Sequence, residues 1–371
     1  MSNTDPFEIF LQTAPGLEPA LRAEASEVGF DGAEVVPGGV TLRGGWPEVW
    51  RANLSLRGAD RVLARVGSFR AMHLAQLDKR SRKFPWPEVL RADVPVKVET
   101  TCHASRIYHA GAATQRIETA LREELGVTVT PQAALGLRVR IADDLVTFSL
   151  DTSGAPLHKR GHKPAVGKAP MRETYAALFL RQCGYDGREP VLDPMCGSGT
   201  FVIEAAEWAA GLMPGRSREF AFEQLASFDA EAWTAMRGVD VSQTPSVTFR
   251  GSDRDDGAIR MSGENAERAG VKDWTVFQQG AVAELERPEG PPGLVIVNPP
   301  YGARIGNKAL LYAVYATLGQ RLKEGFKGWR VGIVTTETGF ARATGLPFKP
   351  VGPVVPHGGL KVRLYQTGVL K

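Results

Sequence analysis

Two consecutive prolines, Pro299 and Pro300, fix where one strand of this chain has to end. They follow Gly293-Leu294-Val295-Ile296-Val297, a short apolar run with β-branched residues that reads as a buried parallel strand. Proline has no amide hydrogen and a locked φ, so two in a row forbid both helix and ladder pairing. The backbone therefore leaves the sheet rigidly at the carboxyl end of a strand, the edge at which open α/β sheets bind ligands. Asn298 sets an amide there, with one carbonyl acceptor and two donors. Pro299 keeps its carbonyl, and Tyr301 adds a flat aromatic face. Together these groups can accept hydrogen bonds from an exocyclic amine and stack on its ring, which is what methylation of a planar amine needs. A strand-ending turn without chemistry is the alternative reading, since such turns are common.

An earlier stretch shifts the balance. Pro190-Val191-Leu192-Asp193 reads as a short strand, Pro194-Met195-Cys196-Gly197-Ser198-Gly199-Thr200 as a glycine turn, and FVIEAAEWAAG as the helix that follows. Glycines belong where backbone must approach a ligand closely. The phosphate-binding pattern G-x-x-x-x-G-K-[ST] is absent, and Asp193 stands where a phosphate would be repelled. An acid at that point suits a cationic ligand, one carrying an ammonium or a sulfonium. Cys196 reads as a small turn residue rather than a nucleophile, with no histidine next to it in sequence. SVTFRGSDRDD reads as a further strand ending at Asp253, placed to hold ribose hydroxyls, with Asp255 as the near alternative.

Strands alternate with helices throughout residues 171–371, so a doubly wound sheet is expected there. Residues 1–66 read as a small α+β unit of ferredoxin-like type, and residues 67–155 as a second α+β unit. Within the latter, MHLAQLDKRSRKFPW carries a basic loop, residues 112–126 form a helix ending at Gly126, and an Asp143-Asp144 turn closes a hairpin. Residues 156–170 are rich in proline, glycine and base, and read as a linker. The 371 residues suit two or three domains.

Charge is uneven. From Arg51 to Arg91 there are ten Lys/Arg against three acids, and from His158 to Arg172 five Lys/Arg and no acid. Such faces favour a polyanion, and Arg70, Lys79, Arg80, Arg82, Lys83, Lys159 and Arg160 are the candidate RNA contacts. Ordinary solvated faces are the bland alternative. His158 and His162 stand four apart, but the intervening glycine and following proline argue against a helical metal pair, and no metal is expected. Cys102, Cys183 and Cys196 are scattered, which suggests neither disulfides nor zinc. With no apolar run of transmembrane length and a polar, acidic start, the expectation is a cytoplasmic protein without membrane contact; its oligomeric state is left open.

DPMCGSGT followed by NPPYG resembles the class I S-adenosyl-L-methionine-dependent methyltransferases that act on exocyclic amines of bases. The flanks RGHKPAVGKAPMRETYAALFL, GRSREFAFEQ, GSDRDD and NPPYGARIG resemble the bacterial rRNA guanine-N2 methyltransferases of the RlmL/YpsC type. GGVTLRGGWPEVWRANLSLRGADRVLARVGSF is similar to that family's entry into a THUMP RNA-binding domain. The resemblance implies a Rossmann-like class I methyltransferase domain preceded by ferredoxin-like and THUMP domains. It implies that Asp193, Gly197 and Gly199, in a turn with Pro194, Cys196, Ser198 and Thr200, line the methionine part of the cofactor. Asp253 would bind ribose, Asn298 and Pro299 would accept the amine hydrogens, and Tyr301 would stack on the base. One departure stands out: Gln278-Gln279-Gly280-Ala281 occupies the region where the family places an acid on the adenine amine, leaving backbone groups or Gln279 for that contact. The implied substrate is guanosine in 23S rRNA. A tRNA guanosine, an adenine N6 amine and a non-catalytic RNA-binding or ribosome-assembly role are the alternatives.

Overall fold

Phe7, Ile9 and Leu11 are buried while their neighbours are half-exposed, the alternation of a strand with one wet face. That strand, β1 (Phe7–Gln12), opens a computed structural model that describes residues 6–162, 171–301 and 308–371. Residues 163–170 of the expected linker and 302–306 of NPPYGARIG lie outside these. The chain divides into two compact units. The first takes in the chain up to Thr13, Arg22–Leu157 and Arg218–Val239; the second takes in Ala14–Leu21, His158–Ser217 and Asp240–Lys371.

After β1 come α1 (Glu18–Glu27), β2 (Glu34–Val36), β3 (Gly39–Gly44), α2 (Trp46–Ser55) and β4 (Arg61–Arg70). This βαββαβ order, with antiparallel neighbours β2-β3-β1-β4, is the ferredoxin-like arrangement. Next follow α3 (Leu74–Arg82), β5 (Val96–His103), α4 (Ala110–Leu125), β6 (Leu135–Ala142) and β7 (Leu145–Asp151). They extend the same sheet, in the order β2-β3-β1-β4-β7-β6-β5. The expected boundary at residue 66 therefore falls inside β4, where the register with β7 shifts between Arg65 and Gly67.

The basic loop expected in MHLAQLDKRSRKFPW is instead the helix α3. His73 caps it, its Nδ1 accepting from the Gln76 N–H, and Lys79, Arg80 and Arg82 fill the last turn, where they complement the helix dipole. Only Leu77 and Ser81 are buried, too thin a stripe to announce a helix. Gly126 ends α4 at φ +73°, and Asp143 and Asp144 take φ +51° and +61° in the β6–β7 turn, as expected of a two-residue hairpin.

The second unit holds α5 (Glu173–Gln182), β8 (Val191–Asp193) and α6 (Thr200–Ala209). The chain then contributes α7 (Ala230–Arg237) to the first unit, where Phe222 and Phe228 meet Trp50 at ring distances of 6.1 and 6.0 Å. It resumes with β9 (Phe249–Asp253), α8 (Asp256–Ala269), β10 (Thr275–Gln279), β11 (Leu294–Val297), α9 (Lys308–Gly325), β12 (Arg330–Thr335), α10 (Thr338–Ala343), β13 (Val355–His357) and β14 (Leu360–Gln366). The strand order is β10-β9-β8-β11-β12-β14-β13. The first five run parallel, and all four residues of β11 are buried, as a doubly wound sheet requires. Alternation stops after α10, because β13 and β14 form an antiparallel hairpin that closes the edge. The order reverses between β8 and β11, the switch point at which such sheets open a crevice. No helix among the described residues is long and apolar enough to cross a membrane.

Candidate active site

β8 and β11 are parallel neighbours, with Val191 opposite Leu294 and Leu192 opposite Val295. Asp193 and Asn298 therefore end adjacent strands at one edge, at the switch point. The glycine turn between β8 and α6 is held by backbone. The Met195 N–H donates to Asp193 Oδ1 at 3.0 Å, the Cys196 N–H to the Ser252 carbonyl at 2.9 Å, and the Gly199 N–H to the Cys196 carbonyl at 2.8 Å. Gly197 and Gly199 take φ +55° and +82°, which L side chains rarely adopt. A Cβ on Gly199 would also come within about 3.2 Å of Phe277 and Ser262. Thr200 starts α6, its hydroxyl 3.5 Å from the Met171 carbonyl.

Asp253 ends β9 beside this turn. Its Oδ2 accepts from the Gly197 N–H and its Oδ1 from the Asp255 N–H, both at 3.0 Å. Asp255 is used locally, its Oδ1 accepting from the Gly257 N–H at 2.8 Å to cap α8. Asp253 is thus the one of the pair tied to the turn. Gln279 ends β10 opposite Asp253, exposed, with its Nε2 donating to the Arg254 carbonyl at 3.1 Å.

Two residues that the motifs do not single out secure the turn from α8. Ser262 Oγ donates to the Gly197 carbonyl at 2.8 Å, and Asn265 Nδ2 to the Ser198 carbonyl at 3.1 Å. Arg268 in turn donates to Asn265 Oδ1 at 2.7 Å. The signal was available: Ser262, Asn265, Ala266 and Ala269 make up the buried stripe of α8, so two polar side chains occupy core positions.

Asp193 is 2% exposed. Burial pushes its carboxyl up to about 8; the Met195 N–H works against that rise, and the Asp253 charge adds to it. A cation beside such a carboxylate would restore its ionisation. The Cys196 thiol is driven upward too, by burial first and then by Asp193, which fits an inert turn residue.

At the end of β11, Asn298 Oδ1 is buried and has no hydrogen-bond partner among the described residues. It follows a strand whose Val295 and Val297 belong to the core with Leu311, Tyr315 and Leu318, and Tyr301 leans on that core partly buried. Tyr315 is fully buried and its hydroxyl donates to Thr335 Oγ1 at 2.8 Å. A buried carboxyl and a buried amide oxygen thus stand on neighbouring strand ends, with an aromatic ring following the second.

The basic candidates separate. Arg70, Lys79, Arg80, Lys83 and Lys159 are exposed. Arg82 is taken up by Asp78, Glu123 and Glu124. Arg160 corrects the sequence expectation outright: it is 2% exposed and ion-paired to the equally buried Glu204 at 3.0 Å, so it cannot meet RNA without unfolding. His162 lies in the same buried group, 3.4 Å from Glu207. Conversely, Tyr108 is 84% exposed next to exposed Arg106, whose N–H donates to Asp144 Oδ1 at 2.8 Å. A lone aromatic beside a base in SRIYH was the only sequence hint.

The family described as "RMKL-like, methyltransferase domain" matches residues 160–347, and the "RlmL ferredoxin-like domain" matches residues 8–63. The "Ribosomal RNA large subunit methyltransferase K/L" of Vibrio campbellii is 31% identical over 342 residues, which cover 87% of this chain and 48% of that protein. The chain spans about half the length of the curated relatives it matches. A crystal structure named a predicted N6-adenine-specific DNA methylase, from Listeria monocytogenes, matches with TM-score 0.87 and 31% identity over 98% of this chain and 97% of that one. A putative methyltransferase complexed with SAH matches with TM-score 0.85 and 26% identity over 99% of each chain.

Proposed function

The chain belongs to the RMKL-like methyltransferase family, and from that premise we propose that it transfers a methyl group from S-adenosyl-L-methionine to the N2 amine of a guanosine in large-subunit ribosomal RNA. One observation carries the reading: Asn298 Oδ1, a buried acceptor without a partner among the described residues, ends the strand next to Asp193.

The residues present fit the cofactor. The buried Asp193 carboxylate is short of positive charge, and a ligand with an ammonium and a sulfonium provides it. The backbone of Gly197–Gly199 lets that ligand approach, and Asp253 stands where ribose hydroxyls can donate to it. When bound, S-adenosylmethionine would supply an electrophilic methyl: the amine lone pair would form the new N–C bond while the S–C bonding pair stays on sulfur as a neutral thioether.

An exocyclic amine is a poor nucleophile because its lone pair is delocalised into the ring. Asn298 Oδ1 and the Pro299 carbonyl accept its two hydrogens and so turn the lone pair toward the methyl. Pro300 keeps this backbone rigid, and Tyr301 holds the base by its face. The acceleration comes from positioning and fixed dipoles. No carboxylate base is needed, since the methylated nitrogen is acidic and sheds its proton to water.

A base inside a helix cannot enter such a crevice, so the target is single-stranded or flipped out. Residues 67–155 serve as the THUMP platform, with Arg70, Lys79, Arg80 and Lys83 on phosphates. An adenine N6 amine is the second reading, since the same tetrad accepts either amine and the Listeria relative is named for adenine.

The test is transfer of labelled methyl to total RNA from cells lacking the gene, with the labelled nucleoside identified by mass. N2-methylguanosine in large-subunit rRNA is expected. The same nucleoside in tRNA would change the RNA, N6-methyladenosine would change the base, and no transfer with cofactor bound would favour a non-catalytic RNA-binding role.

A further inference from the structure

We propose that the Lys308–Glu337 ion pair reads the Watson–Crick edge of the target base and selects guanine over adenine; the inference rests on the guanine reading above. β11 and β12 are parallel neighbours with Val297 opposite Ile333, and Pro299 and Thr335 each follow two residues beyond that pair. Both strands end at the same edge of the sheet, and neighbouring strands lie about 4.8 Å apart. Beyond Thr335 the chain reaches Glu337, at the start of α10. Its carboxylate makes no cap hydrogen bond there. Instead Oε2 meets Lys308 Nζ at 2.8 Å, with side chains 40% and 63% exposed. An ion pair this open adds little to stability and leaves both groups within reach of a ligand.

Lys308 Nζ also lies 5.9 Å over the Phe340 ring, which stacks on Tyr315 at 5.1 Å in the core on which Tyr301 leans. The phenol of Tyr315, bonded to Thr335 at the end of β12, feels the charges of both Tyr301 and Glu337. Carboxylate, ammonium and aromatic ring thus gather on the core that Val295 and Val297 of β11 share.

The chemistry of the edge supplies the rest. Guanine presents the O6 acceptor, the N1–H donor and the N2 amine in sequence. With the amine on Asn298 and Pro299, the next atom along the edge is N1–H and the one after it is O6. Glu337 accepts from N1–H, and Lys308 donates to O6. Adenine brought in by its N6 amine turns the N1 lone pair toward Glu337, acceptor against acceptor, which costs it the site. The pair thus matches the two positions at which the bases differ.

The experiment uses RNA in which the methylated guanosine is replaced by 2-aminopurine riboside, which keeps the N2 amine but has an N1 acceptor and no O6. The wild-type chain should prefer guanine by roughly a hundredfold or more in kcat/KM, as sites that bond a substrate donor do. Glu337→Gln can donate to N1 and should shrink that preference at least ~tenfold, and Lys308→Met should shrink it too. S-adenosylmethionine affinity, measured by calorimetry, should stay at the wild-type value in both variants and so report intact folding. Unchanged base preference in both variants overturns this inference while leaving guanine methylation standing. A wild-type product of N6-methyladenosine, or no product, overturns the guanine reading and this inference with it.

Discussion

Asp193 ties the chemistry of the crevice to pH. Burial lifts its carboxyl from 3.8 to about 8, so the ligand-free folded chain keeps a proton there that the unfolded chain releases above pH 4 or so. With more protons bound in the folded state, stability falls as pH rises from about 4 to about 8 and levels off above. Thermal unfolding across that range should show the slope in the wild type and lose it in Asp193→Asn. Cofactor binding runs the other way, because a cation favours the ionised carboxylate. Below about pH 8 binding should release a proton, and affinity should rise up to ~tenfold per pH unit. Calorimetry in buffers of different ionisation enthalpy reads this, and a wild-type affinity flat with pH would contradict the role given to Asp193.

At the scale of elements, α8 is the brace of the glycine turn. Asn265→Ala strips the Ser198 carbonyl and Arg268 of their partner in a buried place, and should cost about 1–3 kcal/mol in denaturant unfolding, with weaker cofactor binding. Arg160→Ala should cost roughly 3–5 kcal/mol by taking its ion-pair guanidinium away from the buried Glu204, with no change in RNA affinity for whatever protein remains folded. These elements also mark what could be read from sequence. β8, β9 and β11 were legible because apolar runs, terminal acids and the double proline are local signals. α3 was not, because only Leu77 and Ser81 of it are buried. The burial of Arg160 was not either, because its partner lies on α6, 44 residues away. Motif reading reached the residues at the strand ends and in the glycine turn and missed Ser262 and Asn265, which hold the turn from behind.

Across the whole molecule, the division of the chain escaped a linear reading. The aromatic insertion Arg218–Val239 interrupts the second unit in sequence yet folds with the first, since ring packing on Trp50 outweighs chain order. The first unit is where the polyanion reading is tested. Exchanging Lys79, Arg80 and Lys83 for Glu should weaken RNA binding, with cofactor affinity intact. The log–log salt dependence of RNA binding should flatten by about 0.7 for each single-strand phosphate that the variant no longer neutralises. Equal loss of RNA and cofactor binding would mean misfolding instead. The decisive comparison is single-turnover methyl transfer by the full chain and by Asn298→Ala, each saturated with S-adenosylmethionine. If Asn298 orients the target amine, the variant should bind cofactor with unchanged affinity and transfer more slowly by on the order of a hundredfold or more. A variant that transfers at the wild-type rate would contradict it.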